Sequence, residues 1–241
     1  MKNVLITGAM RGIGLSVLQT LHDEGYAITA IYNASEESAT LVLKQFPNVE
    51  GYKVDLSKRN EIESFVKKLA DKALYAIINV AGVAMDDSVA NFDMDKWDKT
   101  IAINLTAPVL FSTKLRSNLE EGGAIVNVAS IFGAVYGMNM SLSYGASKAA
   151  LINLTKSLSY QLRQKKVRVN AIAPSIVDTD MTSLDTKEML DEVSRRSGIG
   201  RIAQPEEIAS IVSFLISKKA SYINGQTIIA DGGYSAWDGI Y

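Results

Sequence analysis

Tyr144 and Lys148 are the two residues whose types and spacing most directly suggest chemistry. They stand four residues apart in YGASK, at the start of an amphipathic helical pattern, so a helix would place both side chains on one face. A cation beside a tyrosine favours the phenolate and lowers the pKa of the hydroxyl from about 10 towards neutral pH. Such a tyrosine can exchange a proton with a carbonyl or an alcohol. The alternative is an ordinary surface pair, which many helices carry.

Two further polar residues stand where a reaction could use them. Ser130 ends an apolar run in NVAS, and its hydroxyl can hydrogen-bond a substrate oxygen; an ordinary turn at a strand end is the alternative. Asn104 interrupts an apolar helical stretch, where asparagine is locally unfavourable, and such violations are expected at functional sites. For Asn104 alone, an amide bonded to backbone in the core is the alternative.

A glycine-rich motif, TGAMRGIG at residues 7–14, follows a predicted strand and opens a predicted helix. Gly8, Gly12 and Gly14 permit a tight turn whose backbone can approach a pyrophosphate at the helix N-terminus. Three glycines alone are a weak signal. Their position at the first strand–helix turn strengthens the prediction of a dinucleotide site.

The end of the second predicted strand bears on the choice of dinucleotide. Sites that prefer NAD usually place a carboxylate there to bind the ribose 2′-hydroxyl, but this chain has Asn33 and Ser35, and Glu36 comes only on the next helix. Arg11, inside the glycine motif, can pair with a 2′-phosphate. These observations favour NADP, with NAD as the alternative cofactor and a plain surface arginine as the alternative for Arg11.

Other strand ends supply the remaining candidate contacts to the cofactor. Asp55 can accept from an adenine amino group or cap the next helix, and NVAG at residues 79–82 brings small residues near the adenine ribose. Pro174 can shape a wall against the nicotinamide, with Thr179 near its carboxamide. The predicted cofactor-binding residues are Gly8, Arg11, Gly12, Ile13, Gly14, Asn33, Asp55, Leu56, Asn79, Ala81, Gly82, Tyr144, Lys148, Pro174, Val177 and Thr179.

Composition excludes several classes of protein. The chain of 241 residues has no cysteine and a single histidine, His22, which argues against thiolate catalysis, histidine-based triads and a metal site. With 25 basic and 26 acidic residues, nothing indicates a nucleic-acid or membrane partner. The lack of a signal peptide, of a membrane-spanning run and of cysteine predicts a cytoplasmic enzyme.

The order of the elements predicts an α/β fold, a doubly wound parallel sheet in a single domain of residues 1–241. Strands are predicted at residues 3–7, 27–32, 49–54, 76–80, 124–129, 167–173 and 227–230. Helices are predicted at residues 12–24, 35–46, 59–71, 94–118, 144–163 and 206–217. The polar segment 182–201 lies beyond the carboxyl end of the sixth strand, where such sheets bind ligands, and is predicted to be a short helical substrate lid. A plain surface helix is the alternative.

The chain resembles the short-chain dehydrogenases/reductases, a family with a Rossmann fold. The matches follow the family's order along most of the chain: TGAMRGIG, Asp55, NVAG, Asn104, Ser130, YGASK, Pro174 and DGG at residues 231–233. The resemblance implies a catalytic tetrad in which Tyr144 is the general acid or base and Ser130 positions the carbonyl. It also implies that Lys148 binds the nicotinamide ribose and tunes Tyr144, that Asn104 holds a water of the proton relay, and that the chain forms a homotetramer.

Within the family, residues 200–233 are most similar to bacterial β-ketoacyl-acyl-carrier-protein reductases. The expected activity is therefore NADP(H)-dependent reduction of a 3-oxoacyl thioester, with acyl carrier protein as a candidate carrier. The departures are Ser175 and Val80 at motif positions, methionines at 138 and 140, and acidic Glu120 and Glu121, which would repel an acidic carrier. The basic residues that would compensate are Arg163, Lys165, Lys166 and Arg168.

Two alternatives to this activity remain open from the sequence. The first is a carbonyl reductase or alcohol dehydrogenase of the same mechanism, acting on another small ketone or a sugar-derived intermediate. The second is a nucleotide-binding regulatory protein that kept the fold and lost turnover, against which the complete tetrad argues.

Overall fold

A seven-stranded parallel sheet, in the order β3-β2-β1-β4-β5-β6-β7, organises the chain. The computed structural model describes residues 1–33, 36–182 and 186–236. Strand order reverses between β1 and β4, which opens a crevice at the carboxyl ends of these strands. The strands are β1 Asn3–Thr7, β2 Ala27–Tyr32, β3 Val49–Lys53, β4 Leu74–Asn79, β5 Leu119–Val128, β6 Arg168–Pro174 and β7 Thr227–Ala230.

The helices cover both faces of the sheet. They are α1 Gly12–Asp23, α2 Glu36–Gln45, α3 Arg59–Lys68, α4 Met94–Ile101, α5 Ala107–Lys114, α6 Ile131–Ala134, α7 Leu142–Gln161, α8 Lys187–Arg196 and α9 Pro205–Ile216. A π-helical turn, Ala102–Thr106, joins α4 to α5. Short 3-10 turns occupy Val89–Asn91, Arg163–Lys165, Lys218–Ala220 and Tyr234–Ala236.

Two apolar cores, one on each face, hold the helices to the sheet. Leu18 of α1 and Val212 of α9 belong to one core, and Phe65 of α3, Phe111 of α5 and Leu158 of α7 belong to the other. Because both faces are covered, the central strands are largely apolar, and β1 and β4 are fully buried. The predicted doubly wound parallel sheet is therefore confirmed.

The register of the strands brings the ends of the predicted motifs to one level. Thr7 at the end of β1 pairs with Ile31 of β2 and with Asn79 of β4, and Asn79 pairs with Asn127 of β5. The loops that follow these residues therefore start side by side at the carboxyl edge. Among the described residues, no helix is long and apolar enough to cross a membrane.

Candidate active site

The glycine turn after β1 packs against the loop after β4 without room for side chains. A Cβ on Gly8, whose φ is +69°, would lie 2.9 Å from the Cα of Ala81, and a Cβ on Gly14 would lie 2.0 Å from the carbonyl oxygen of Gly8. Thr7 fixes the same contact, because its hydroxyl oxygen accepts from the backbone N–H groups of Val80 and Ala81, both at 3.1 Å. The turn leaves the N-terminus of α1 open towards the crevice.

A cavity of about 480 Å³ follows the carboxyl edge of the sheet beside this turn. It brings together most of the residues predicted to bind the cofactor, from five separate segments. These are Gly8, Arg11, Gly12, Ile13, Gly14, Asn33, Asp55, Leu56, Ala81, Gly82 and Thr179. A mainly apolar crevice with a glycine cradle fits a dinucleotide.

Sequence reasoning missed other residues of the cavity wall. Most of them adjoin a predicted residue within a motif, so the motif as a whole was the signal, whereas Met85 and Lys99 had none. The missed residues are Met10, Ile31, Tyr32, Val54, Val80, Val83, Met85, Lys99, Ile103, Asp180 and Met181.

Five residues predicted to bind the cofactor do not line this cavity: Tyr144 and Lys148, which are described with α7 below, and Asn79, Pro174 and Val177. Asn79 is buried, and its amide donates to the side-chain oxygen of Asn127 at 2.7 Å, so it joins β4 to β5. Pro174 is buried at the end of β6. Val177 is 5% exposed, and its carbonyl oxygen accepts from the Thr182 hydroxyl at 2.9 Å. Asn79 therefore has a structural partner, and contacts from Pro174 and Val177 to a cofactor stay predictions.

Asp55 does not cap the helix that follows it, so that interpretation was wrong. Its carboxylate accepts from the backbone N–H of Ser57 at 3.0 Å and from the Ser57 hydroxyl at 2.7 Å, which closes a local turn. The N-cap position of α3 belongs to Lys58, three residues further on. The hydrogen bonds from Ser57, chiefly that of its hydroxyl, hold the pKa of the Asp55 carboxyl below its ordinary value.

Two cations on the cavity wall are free of carboxylate partners among the described residues. Arg11 occupies the N-cap position of α1 without using its side chain there, and Lys99 lies on α4; neither forms an ion pair with the described part of the chain. Glu36, the first described carboxylate after β2, pairs with Lys53 at 3.6 Å. Ser35, which the sequence analysis also named, lies outside the described residues.

The first turn of α7, which carries Tyr144 and Lys148, is capped from two sides. The Ser141 hydroxyl oxygen accepts from the backbone N–H of Tyr144 at 3.2 Å. The carboxylate of Asp87, which is fully buried, accepts from the backbone N–H of Ser143 at 3.0 Å. Satisfying these N–H groups fixes where the helix begins and therefore where Tyr144 stands.

Lys148 is buried on the inner side of α7. It is 3% exposed, its ammonium group donates to the carbonyl oxygen of Val128 at 2.7 Å, and Nζ lies 5.6 Å from the centre of the Tyr144 ring. A Cβ on Gly82 would lie 3.3 Å from this Nζ, so the missing side chain of Gly82 makes room for the ammonium group. Burial lowers the pKa of Lys148 to about 8.

Burial decides the acidity of Tyr144 as well. Burial raises the pKa of Tyr144 above its ordinary value, and a hydrogen bond with Ser130 acts in the opposite direction with a smaller effect. The expected lowering by Lys148 was therefore wrong for this structure, because the cost of burying a phenolate outweighs the neighbouring groups. A tyrosine of this kind is protonated at neutral pH and can act as an acid.

Asn104 lies in the π-helical turn, which interrupts the regular helix predicted over residues 94–118; the helical backbone continues to Lys114, four residues short of the predicted end. Its side-chain oxygen accepts from the N–H of Val83 at 2.9 Å, and its amide donates to the Val83 carbonyl at 2.9 Å and to the Ser147 hydroxyl at 3.1 Å. Pro108 has no N–H to give the carbonyl of Asn104 four residues earlier, so a regular helix is not available here. Asn104 thus joins the loop after β4 to α7.

Ser130 caps a short helix that sequence reasoning did not predict. Its hydroxyl oxygen accepts from the N–H of Phe132 at 3.2 Å, and the residue stands at the N-cap of α6 directly after β5. Ser130 is 5% exposed and serves as a cap, and its hydroxyl also acts on Tyr144 by lowering the pKa of the phenol. The structure therefore brings the four predicted catalytic residues to one edge of the sheet.

The segment predicted to be a lid contains a helix that has no buried residue. Within residues 182–201, α8 covers Lys187–Arg196, none of its residues is buried, and Thr186 caps it by accepting from the N–H of Met189. The segment beyond α8 is anchored where the N–H of Ile199 donates to the carbonyl of Gly232 at 3.1 Å. Residues 183–185 lie outside the described residues, and a role as a lid stays a prediction.

Two of the four basic groups expected to attract an acidic carrier are not available as predicted, because Arg168 is buried and Lys166 is paired with a carboxylate. Arg168 is buried and donates to four backbone carbonyls, and Lys165 donates to three. Lys166 pairs with Glu121 at 2.7 Å, and Arg163 lies 4.1 Å from the centre of the Tyr160 ring. The physical reason is that free carbonyls at chain turns and a nearby carboxylate bind these cations first.

Comparisons with known proteins agree with this geometry. The family model described as enoyl-(acyl carrier protein) reductase matches residues 8–235. The 3-oxoacyl-[acyl-carrier-protein] reductase FabG of Staphylococcus aureus is 33% identical over 240 residues, covering 96% of this chain and 97% of that protein.

Two solved structures are similar over almost the whole chain. A short-chain dehydrogenase/reductase of Brucella melitensis, titled glucose/ribitol dehydrogenase, has a TM-score of 0.91 at 28% identity and covers 97% of this chain and 96% of its own. BdcA in complex with NADPH has a TM-score of 0.88 at 27% identity and covers 96% and 93%. With the glycine turn and the four polar residues at one sheet edge, these matches show that the chain belongs to the short-chain dehydrogenase/reductase family of oxidoreductases.

Proposed function

We propose that this protein reduces a carbonyl to a secondary alcohol with NADPH, and that a 3-oxoacyl thioester is its substrate. The observation that carries the proposal is the meeting of Asn104, Ser130, Tyr144 and Lys148 at the sheet edge that also holds the glycine cradle. Proton-transferring groups beside a dinucleotide crevice are what carbonyl reduction requires.

The cavity fits NADPH through its shape and its charges. The closely packed Gly8 and Gly14 let backbone N–H groups of α1 face a pyrophosphate, and Arg11 is available to a 2′-phosphate. The related BdcA structure contains NADPH, which supports the same choice here. When bound, the cofactor supplies a hydride for the carbonyl carbon.

Tyr144 supplies the proton in this reaction. Burial raises its pKa, so the hydroxyl is protonated at neutral pH and can give its proton to the carbonyl oxygen as negative charge develops there. Ser130, whose hydroxyl lowers the pKa of Tyr144, is expected to donate to the same oxygen. Lys148, with a pKa of about 8, still carries its charge at neutral pH, and that charge favours the phenolate left after proton transfer.

The relatives favour an acyl thioester as the substrate. Whether acyl carrier protein carries the acyl group is a separate question. The Staphylococcus aureus relative is named for a 3-oxoacyl group on acyl carrier protein. The burial of Arg168 and the pairing of Lys166 with Glu121 weaken the charge-based argument for docking such a carrier at that surface. The proposal therefore concerns the acyl thioester, and comparing carriers measures what an acyl carrier protein adds. The cytoplasmic location stays a prediction.

The first experiment is steady-state oxidation of NADPH, with NADH in parallel, against one panel of substrates. The panel contains acetoacetyl-acyl carrier protein, acetoacetyl-coenzyme A, small ketones, a keto-sugar and a crotonyl thioester, the last because the matching family model is described by an enoyl reductase. We expect turnover of both acetoacetyl thioesters with NADPH. Activity confined to the ketones or the keto-sugar would support the catalytic role of the tetrad but reject a thioester as the substrate. Reduction of the crotonyl thioester alone would reject carbonyl reduction as the activity.

Replacing Tyr144 by Phe tests whether the protein is an enzyme of this mechanism. Tyr144→Phe should lower kcat by about 10²- to 10⁴-fold, because it removes the proton donor, and should leave NADPH binding unchanged. Tyr160→Phe is the matched control, since Tyr160 is 67% exposed on the same helix. Wild-type turnover by Tyr144→Phe would contradict the mechanism.

A further inference from the structure

Two glycines outside the tetrad stand where the short helix α6 meets α7. A Cβ on Gly133 of α6 would lie 2.5 Å from the backbone nitrogen of Ala149 and 2.6 Å from the carbonyl carbon of Lys148. A Cβ on Gly145, the residue after Tyr144, would lie 3.0 Å from the carbonyl oxygen of Phe132. The two helices therefore touch backbone to backbone at two successive points.

The backbone connects each of these two glycine contacts to a residue of the predicted tetrad. On α6, the N–H of Gly133 donates to the carbonyl of Ser130 at 3.1 Å, and the Ser130 hydroxyl accepts from Phe132 N–H at 3.2 Å. On α7, Gly145 directly follows Tyr144, and Gly133 rests on Lys148. A displacement of α6 away from α7 must therefore carry Ser130 away from Tyr144.

We propose that Gly133 and Gly145 are positioning residues, whose missing side chains let α6 lie close enough to α7 for the Ser130 hydroxyl to interact with Tyr144. The inference rests on the proposed function for its effect on turnover, but the contact itself is a property of the fold. A hydrogen bond weakens as its donor and acceptor move apart. A shift of α6 by a few tenths of an ångström therefore weakens the interaction of Ser130 with Tyr144 and lowers the rate of proton transfer.

Gly145→Ala is the decisive variant, because its added Cβ meets one backbone oxygen at 3.0 Å and asks only for a small displacement. We expect kcat to fall about tenfold while the Kd of NADPH stays unchanged, since neither glycine lines the cofactor cavity. Gly133→Ala should cost more, because backbone atoms block its Cβ at 2.5 Å. Gly137→Ala is the matched control in the same segment, where a Cβ would meet no atom within 4 Å.

A second readout separates positioning from simple loss of stability and needs no turnover. The phenolate of Tyr144 is titrated by ultraviolet absorbance, as the difference between each protein and its Tyr144→Phe counterpart. The hydrogen bond with Ser130 lowers the pKa of Tyr144, so weakening it in Gly145→Ala should move that titration to higher pH. Lys148, the amine beside the ring, is retained in both proteins and, with a pKa of about 8, is neutral where the phenol titrates.

A double-mutant cycle with Ser130→Ala completes the test. If the glycines act through Ser130, Gly145→Ala should have little further effect on the Tyr144 titration or on kcat once Ser130 is absent. Wild-type titration and kcat in Gly145→Ala, equal effects with and without Ser130, or failure of Gly145→Ala to fold would each overturn the proposal. Inactivity of the wild type towards every carbonyl would reject the proposed function instead, and the titration would still decide the positioning role.

Discussion

Burial of the charged Lys148 ammonium group lowers the stability of the folded protein. The ammonium group is 3% exposed and has a backbone carbonyl, not a carboxylate, at 2.7 Å. Burial therefore lowers its pKa from 10.5 to about 8. The shift disfavours the charged form in the folded protein relative to the unfolded chain, so it has a consequence for stability.

The free energy of unfolding should rise with pH because of this lysine. Between about pH 8 and 10.5 the unfolded chain holds a proton on residue 148 that the folded protein has released, so raising the pH favours the folded state. The change over that window is about 3 kcal/mol. It should vanish in Lys148→Met and persist in Lys156→Met, an exposed lysine on the same helix. Urea unfolding at several pH values measures it, and parallel curves for wild type and Lys148→Met would refute it.

Arg11 should set the preference for the phosphorylated cofactor. Arg11→Ala removes a cation that can pair with the 2′-phosphate, so KM for NADPH should rise about 10- to 100-fold while KM for NADH stays within about twofold. Lys99→Ala is the comparison, because Lys99 is the other cavity-wall cation without a carboxylate partner among the described residues. If KM rose equally for NADPH and NADH in Arg11→Ala, or if Lys99→Ala changed the ratio of the two KM values more, a group other than Arg11 would bind the 2′-phosphate.

At the residue scale, the sequence predicted positions correctly where a motif fixes the backbone. It failed where burial determines a pKa or a hydrogen-bond partner. Thr7 and the glycine turn lie together as the spacing indicated, because a tight turn leaves few arrangements. The direction of the Tyr144 pKa and the partner of Asn79 depend on atoms brought in by distant segments. No local pattern reports those contacts.

The strands were the elements that the sequence predicted best. Strands β1, β2 and β7 begin and end at the predicted residues, since short apolar runs bounded by polar turns leave little freedom. The helix predicted over residues 94–118 instead widens into a π turn around Asn104, where side-chain bonds to Val83 and the missing N–H of Pro108 override a regular apolar pattern. Helix α6 spans four residues, too short to show a period.

Two buried side chains hold the end of α9: Tyr75 of β4 donates to the Ile216 carbonyl at 2.9 Å, and Arg168 makes the larger number of bonds. Arg168 of β6 donates to the carbonyls of Leu215 at 2.6 Å, Ala220 at 3.0 Å, Ile216 at 3.1 Å and Ser217 at 3.2 Å. These carbonyls form the negative end of the helix dipole, so the guanidinium group both caps and neutralises it.

Arg168→Met should lower the free energy of unfolding by about 3 kcal/mol, because several buried carbonyls lose their donor. Arg163→Met should cost less than about 0.5 kcal/mol, since Arg163 is exposed and bonds only to Tyr160 of the preceding turn. Chemical denaturation of both variants measures the difference. A small effect of Arg168→Met would mean that water replaces the guanidinium at these carbonyls.

At the scale of the whole molecule, β7 is an edge strand of the described sheet, and apolar groups stand exposed beside it. Ile229 of β7 is 45% exposed, Phe214 of α9 is 38% exposed, and Tyr222 between them in the chain is fully exposed. An exposed edge with large apolar side chains favours association, which natural proteins usually avoid unless it is used. We propose that a second copy of this chain covers this face, as expected for the predicted homotetramer.

Sedimentation velocity should therefore show a tetramer for the wild type and a smaller species for Ile229→Glu, because a buried, unpaired carboxylate opposes closure of the interface. Leu41→Glu is the matched control, since Leu41 is 59% exposed on α2, away from the edge strand. A wild-type monomer at micromolar concentration would reject the assembly. Dissociation by Leu41→Glu alone would move the interface to the opposite edge of the sheet, where α2 and β3 lie.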